Sequence, residues 1–378
     1  MPTINCRILD NLDQIEQKEW DAVFGSIPES YPFYKALENS GFPEFRFYYL
    51  VVESDHEIVL IAPLFLTDFY LDIAVEGSFS KVIKSIRKVF PRFLIMKTLF
   101  CGSPFGEYGI LGVKQGFKYN AGIVPLLLEG VKKCRVKTNA ALVVFKDFLK
   151  QDTLLLDVLI QKGYSKVESF PTVALKLNFT CFEDYLKSLS GPSRKYLNRK
   201  LKQAYSRGKI EVKALKNVEN LIDQVYELYE NTYHKGATKF EHLTKGFFLR
   251  AALDLSPHTY FFLYYVDGAL AAFNLCFVYD NLFIDKFIGF DYGISRQYNL
   301  YFVCQAYNIN WCLNNSICYY YSGQTNYETK LRLGGKLITL YAYLKHRNIF
   351  FNFLLKFLVH LFKPGNFNED ISGVTQDV

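Results

Sequence analysis

Three stretches in the second half of the chain carry residue types at spacings that could do chemistry. Lys187–Lys209 holds eight cations (Lys187, Arg194, Lys195, Arg199, Lys200, Lys202, Arg207 and Lys209) and no acid. A helix over Pro192–Arg207 would place Lys195, Arg199 and Lys202 on one face and Leu197, Leu201 and Ala204 on another. Like charges this crowded repel, and an anion between them relieves the strain. Arg194 and Arg199 have the planar fork that suits bidentate contact with phosphate; the plainer alternative is a solvated basic face. In the second stretch, Ser322–Gly335, a strand runs into a glycine and a polar turn delivers Gln324, Tyr327, Lys330 and Arg332. Ligands of open α/β sheets gather just past the C-terminal ends of strands, although an ordinary surface turn reads the same way. The third is the strand Asn281–Phe290. Alternation puts Phe283, Asp285, Phe287 and Gly289 on one face and Ile284, Lys286 and Ile288 on the other. Asp285 and Lys286 are charges inside an apolar strand. Such charges are costly unless paired, so they mark either function or a structural ion pair.

Other chemistries find no support. No phosphate-cradling P-loop or G-x-G-x-x-G is present. The six histidines do not fall in metal-ligand spacing or beside a nucleophile elbow, and the eight cysteines are scattered without a C-x-x-C pair. They read as reduced, buried thiols of a cytosolic protein, with no metal site expected. Lys and Arg exceed Asp and Glu by 44 to 37, a net charge of +7. That excess is compatible with an anionic partner such as coenzyme A, tRNA or lipid headgroups. The start lacks the pattern of a signal peptide, and no apolar run of about 18 residues or more is found. A soluble or peripheral protein is expected.

The elements that must position these residues occur twice. In the first half a helix (33–40) precedes the strands 46–53 and 58–67, which are joined by a polar turn. A strand near 97–102, a Gly-rich loop 102–112, a helix near 120–133 and a strand 140–145 follow. In the second half a helix (247–255) precedes the strands 259–266 and 269–279, joined by Asp267-Gly268, a strong hairpin signal. A strand 282–290, a loop 291–297, a helix 300–314 and a strand 317–322 complete the series. Two copies of one element order imply a duplicated α/β unit, each copy a mixed sheet flanked by helices. The chain of 378 residues suits two domains of about 150–200 residues each. The boundary falls at 163–178, giving domains 1–168 and 169–347, an apolar amphipathic helix 348–363 and a flexible tail 364–378. Ser190 or Gly191 can cap the basic helix, and Gly208 stands where helices stop.

Taken together, these motifs resemble the Fem-type branch of the GNAT superfamily, the peptidoglycan-bridge aminoacyl transferases and related acetyltransferase-like proteins. The motifs are Leu189-Ser190-Gly191-Pro192-Ser193-Arg194-Lys195 with Arg199-Lys200, the Asp-Gly hairpin, Phe287-Ile288-Gly289-Phe290-Asp291 and the Gly323-Gln324…Lys330…Arg332-Leu333-Gly334 segment. Trp20, Pro32-Phe33…Ala36-Leu37-Glu38 and Ala62-Pro63-Leu64 add to the likeness, which covers roughly 1–345. The resemblance implies two tandem GNAT-like domains and transfer of an acyl or aminoacyl group to an amine of a cell-envelope or lipid-linked precursor. The co-substrate would be acyl-CoA or aminoacyl-tRNA, with no tightly bound cofactor and no DNA partner. Lys330 matches the family lysine associated with the transition state or a phosphate, and Arg194 and Arg199 match its basic helix. Asp285 is expected to be the base on the strength of its setting. In the acetyl-CoA-binding members a glycine loop cradles pyrophosphate; here Ser295-Arg296-Gln297-Tyr298-Asn299 has no glycine. A non-catalytic GNAT-derived protein that recognises a saccharide, lipid or protein partner is the alternative.

Two segments suit a bilayer surface. Residues 81–97 interleave Lys81, Lys84, Arg87, Lys88 and Arg92 with Val82, Ile83, Ile86, Val89 and Phe90. Residues 348–363 are apolar except at Asn348, Asn352, Lys356, His360 and Lys363, which fits a helix lying in the interface or packed on protein.

Overall fold

In the computed structural model of the protein, which describes residues 4–71, 78–117, 122–236, 241–358 and 371, each half is built on a hairpin whose turn the sequence dictates. Asp267 and Gly268 both take positive φ, 49° and 89°, and Asp55 and His56 do the same at 50° and 68°. A two-residue turn of this hand matches the twist of the strands it joins. Contacts divide the chain into two units, the first made of the described residues of 1–38, 42–171 and 339–377, the second of those of 39–41 and 172–338.

The first unit opens with β1 (Ile4–Leu9), α1 (Gln17–Phe24) and α2 (Tyr31–Glu38), then the hairpin β2 (Arg46–Ser54) and β3 (Glu57–Tyr70). It continues through α3 (Ser78–Val89), β4 (Ile95–Cys101), β5 (Gly112–Val113), α4 (Ile123–Thr138), β6 (Leu142–Leu149) and the short α5 (Thr153–Leu156) and α6 (Val158–Gln161). β7 (Ser165–Lys176) leads into the second unit, which holds α7 (Phe182–Ser188), α8 (Gly191–Tyr205), β8 (Ile210–Leu215), α9 (Ile222–Lys235) and α10 (Lys245–Asp254). After these come β9 (Thr259–Val266), β10 (Ala269–Tyr279), β11 (Leu282–Phe290), α11 (Tyr292–Ser295), α12 (Leu300–Asn314), β12 (Tyr319–Tyr321) and α13 (Tyr327–Arg332). β13 (Lys336–His346) and α14 (Ile349–Leu358) follow.

Both sheets follow one plan. In the first unit the order is β1-β2-β3-β4-β6-β13, with β5 beside β3; in the second it is β8-β9-β10-β11-β12-β7. Each contains one parallel pair, β4 with β6 (Thr98–Cys101 beside Leu142–Phe145) and β11 with β12 (Leu282–Ile284 beside Tyr319–Tyr321). The other strand pairs within each unit, among the described residues, are antiparallel. The strand that completes each sheet is not the next in sequence. Leu340–His346 of β13 pairs with β6, whereas Ala174–Lys176 of β7 pairs with β12. Residues 339–347 were expected in the second domain by position in sequence, but register and hydrogen bonding hold 339–346 in the first unit.

Apolar faces seal each sheet. Ile123, Val124, Leu127 and Val131 of α4 pack on Leu50, Leu60, Leu99 and Phe145. Leu300, Val303 and Cys304 of α12, with Leu197 of α8 and Tyr185 of α7, pack on Phe262, Cys276 and Phe283. Burying side chains of this size contributes about 1.5–3 kcal/mol each. The basic helix starts as its residues dictate: the Ser190 side chain accepts from Ser193 N at 3.3 Å, with proline in the first turn. The side chains of Lys81, Val82 and Lys84, and the expected tail from 364 onward apart from Ile371, lie outside the described residues. No helix among the described residues is long and apolar enough to cross a membrane.

Candidate active site

The strand that carries Asp285 departs from simple alternation. Leu275 lies opposite Phe287 and Cys276 opposite Asp285, so Lys286 is the extra residue of a β-bulge in β11. The bulge changes which residues share a face. Phe287 meets Phe247 of α10, and Gly289 lies under α9, where a Cβ would stand 2.6 Å from the Leu228 carbonyl carbon. Ile288 and Phe290 join Phe283 in the core beneath α12, the side on which Asp285 reaches Gln305. The sequence-based grouping of Phe287 and Gly289 with Phe283 and Asp285 is therefore corrected. One inserted residue inverts everything after it.

Beyond Ile284 the parallel pairing stops, while β11 runs on to Phe290. Two neighbouring strands thus part at the bulge, and Asp285 stands at that fork. Its Oδ1 accepts from Asn274 Nδ2 at 2.6 Å, and its Oδ2 accepts from Tyr320 OH at 2.6 Å and Gln305 Nε2 at 2.9 Å. Asn308 donates to Asn274 Oδ1, Tyr264 OH donates to Asn308 Oδ1 at 3.1 Å, and Tyr320 OH lies 3.1 Å from Gln305 Oε1. Asn274, Gln305, Asn308, Tyr264 and Tyr320 are buried. Burial pushes the Tyr320 and Tyr264 hydroxyls well above their usual range, and the charge of Asp285 adds to it. The thiols of Cys276 and Cys304 are raised by the same two causes. The network is thus one carboxylate held by neutral donors. Asp285 was legible as a charge in an apolar strand; its partners were passed over. The signal was present in Asn274, amid apolar β10, and in Gln305 and Asn308, three apart on the buried face of α12.

The 322–335 turn begins where β12 ends. Lys330 is buried, and its ammonium donates to the carbonyls of Ser322 and Gly323, the latter at 3.5 Å. Tyr327 is buried beside it. Gln324 presents a buried Nε2 with no hydrogen-bond partner among the described residues, and the buried Tyr301 hydroxyl of α12 has Asn326 beside it. Burying a group such as the Gln324 amide nitrogen unpaired costs about 1–3 kcal/mol, so it marks a place a ligand could satisfy.

The basic helix meets this turn. The Tyr196 ring gathers Arg332 (4.9 Å from the guanidinium carbon to the centroid), Arg199 (5.4 Å) and the Lys200 ammonium (5.5 Å). Tyr185 OH donates to the Leu333 carbonyl at 2.8 Å, tying α7 to the end of α13. Arg194 turns back to donate to the Lys187 carbonyl at 3.3 Å, Lys195 is exposed, and Lys286 lies along the Phe287 ring at 5.9 Å. Tyr196, the hub of the cationic group, was not singled out from sequence. The glycine-free stretch before α12 is held by the same helix and the turn after it: Lys200 donates to Asn299 Oδ1 at 3.1 Å and Arg207 to the Gln297 carbonyl. Cations thus stand at the positive end of α12, an arrangement that an anion would relieve.

Two sheets of one plan, each with a single parallel pair, the second forked at a bulge, define a tandem GNAT-type fold. The crystal structure of FemX superimposes with a TM-score of 0.58 at 13% identity, covering 90% of this chain and 98% of that one. A tandem GNAT protein from the clavulanic acid biosynthesis pathway gives 0.54 at 12%, covering 92% and 99%. L-PGS from Bacillus licheniformis gives 0.52 at 9%, covering 90% and 98%. The sequence matches the FemAB-like family of peptidoglycan biosynthesis and recognition over residues 11–337, and the chain belongs to that family. Among curated proteins none matches.

Proposed function

We propose that the protein is an N-acyltransferase that passes an acyl or aminoacyl group to an amine of a cell-envelope or lipid-linked precursor, at the fork between β11 and β12. The observation that carries this reading is the buried Nε2 of Gln324, without a hydrogen-bond partner among the described residues, beside Lys330 at the point where the parallel strands end. The amine attacks the ester or thioester carbonyl of the donor, a tetrahedral oxyanion forms, and the carbon–oxygen or carbon–sulfur bond to the carrier breaks. Gln324 Nε2 is the donor we assign to the oxyanion, with Lys330 fixing the turn that presents it and lending positive charge. Asp285 takes the amine proton through Tyr320, whose hydroxyl gives its hydrogen to Oδ2 as it receives the new one. Arg199, Arg332 and Lys200 around Tyr196, with Arg194 and Lys195 on the same helix, are assigned to the anionic carrier, acyl-CoA or aminoacyl-tRNA; Tyr327 and Lys286 border the acceptor. We place the protein at the cytoplasmic face of a membrane, with peripheral contact through α14 and the 81–97 segment.

Mass spectrometry of what co-purifies with the native protein tests the donor: coenzyme A, an acyl thioester or tRNA is expected. With donor and acceptor in hand, Lys330→Ala should lower turnover by about 10²–10³-fold in a folded protein. Unchanged turnover removes this residue from the mechanism. A second reading, recognition without catalysis, is favoured by one observation: three donors already occupy the Asp285 carboxylate. It predicts tight binding of the precursor with no transfer from any donor.

A further inference from the structure

The first unit contains a cavity of about 370 Å³ whose rim is set with Lys132, Arg135, Lys162, Lys345 and Arg347. No acidic residue lines it, and none of the five cations forms a salt bridge among the described residues. The floor is apolar, made of Leu128, Val131, Val143 and Tyr164. Three separate elements bring the charges together: α4 supplies Lys132 and Arg135, the turn after α6 supplies Lys162, and the end of β13 supplies Lys345 and, just beyond, Arg347. Lys345 is half-buried over the Tyr164 ring at 5.3 Å, and its ammonium donates to the Lys162 carbonyl at 2.6 Å. Burial, together with the charges of Arg135 and Lys132, holds that ammonium below the ordinary lysine range. Five like charges around one hollow lined by no acid are electrostatically incomplete, with Glu129, outside the lining, reaching Lys132 alone of the five.

What adjoins the cavity narrows its ligand. Asn352 of α14 donates to the Gly163 carbonyl at 2.9 Å and accepts from His346 N at 2.8 Å, which fixes the helix to the cavity rim. From there α14 holds Phe350, Phe353 and Phe357 out to solvent, each more than 60% exposed. A helix with cations at its root and bare aromatic rings along its length matches the border between the headgroups and the acyl chains of a bilayer.

We infer that this cavity is a phosphate-binding site for the headgroup of an anionic membrane lipid, seated while the aromatic face of α14 enters the bilayer surface. The inference builds on the peripheral contact proposed for α14 and adds a discrete ligand site, independent of the transfer chemistry assigned to the second unit. The test is sedimentation of the full-length protein with phosphatidylcholine vesicles, with and without about one-third phosphatidic acid. The wild type should bind the acidic vesicles at least about tenfold better. The exposed pair Lys132→Glu/Lys162→Glu should weaken that binding by about 30-fold or more. Lys195→Glu/Lys202→Glu, the same charge change on exposed lysines of α8, should weaken it by less than about threefold. Phe350→Ser/Phe353→Ser should reduce binding to both vesicle types, which reports on the helix alone. Equal partition to the two vesicle types, or equal loss from the two lysine pairs, overturns the site. Calorimetric binding of inorganic pyrophosphate that Lys132→Glu/Lys162→Glu abolishes, without any vesicle binding, overturns the lipid and leaves a soluble phosphate ligand.

Discussion

The two units share strand order and pairing sense, yet they differ at the corresponding place. In the first, β3 and β4 stay in continuous register from Leu64 opposite Cys101 to Tyr70 opposite Ile95, and β4 ends where its parallel pairing with β6 ends. In the second, the register breaks between Leu275 and Cys276, and β11 continues past its parallel partner. The covering helices differ likewise. The buried face of α4 is apolar apart from Gly130 and Thr138, whereas that of α12 includes Gln305 and Asn308. Apolar packing therefore suffices beneath the covering helix of this fold. A buried polar network adds nothing to stability that an apolar core would not supply, so its place beneath the covering helix of the second unit points to use; the first unit's buried carboxylates, Glu29, Glu107 and Asp147, lie on other elements than α4. The first copy has its own specialisation, carried outside its core in the cationic cavity beneath α14.

The most direct way to break the comparison is to give the second unit the register of the first. Deleting Lys286 removes the extra residue and leaves Asp285, Phe287, Ile288, Gly289 and Phe290 on the faces they already occupy. The protein should fold with little change in melting temperature and lose turnover by about 10²-fold or more, since displacing a reacting group by about 1 Å has that effect. Lys286→Ala keeps the bulge and should cost much less. If the deletion variant turns over normally, the bulge is no part of the site. A smaller effect is expected on the network itself. In Asp285→Asn, the donors of Asn274, Gln305 and Tyr320 face an amide that cannot accept from all of them. Each donor left unsatisfied costs about 1–3 kcal/mol, to be read from urea unfolding. A fall below about 0.5 kcal/mol would mean that the network does not hold the second unit together.

Much of this plan was legible in the chain. The Asp267-Gly268 turn fixed β9 and β10 to the residue, and the apolar runs and helical periodicity placed β11 and α12 equally well. Asp285 stood out because charge in an apolar strand is expensive, and Lys330 because a polar turn delivers it just past the end of a strand. What stayed hidden depends on information no local pattern holds. The bulge at Lys286 is a property of two strands in register, not of one. The return of β13 to β6 is a choice of partner made across the fold. The meeting of Arg199, Lys200 and Arg332 on Tyr196 needs two helices that lie far apart in sequence. The cavity of the first unit escaped for the same reason, its cations being spread from Lys132 to Arg347.

The smallest effect expected separates the units by pH. His346 is buried at the end of β13, with Phe351 across its ring at 5.3 Å. Burial and the charge of Arg347 lower its pKa from the ordinary value, against a partial offset from the Asn348 carbonyl. A histidine whose folded-state pKa is depressed binds fewer protons folded than unfolded, so stability rises with pH through the window below the ordinary value of about 6.5 and levels off above it. Thermal unfolding followed between about pH 5 and 7 should show this slope in the wild type and a shallower one in His346→Gln. If His346→Gln unfolds with the wild-type slope, the ring is not the titrating group and this assignment falls.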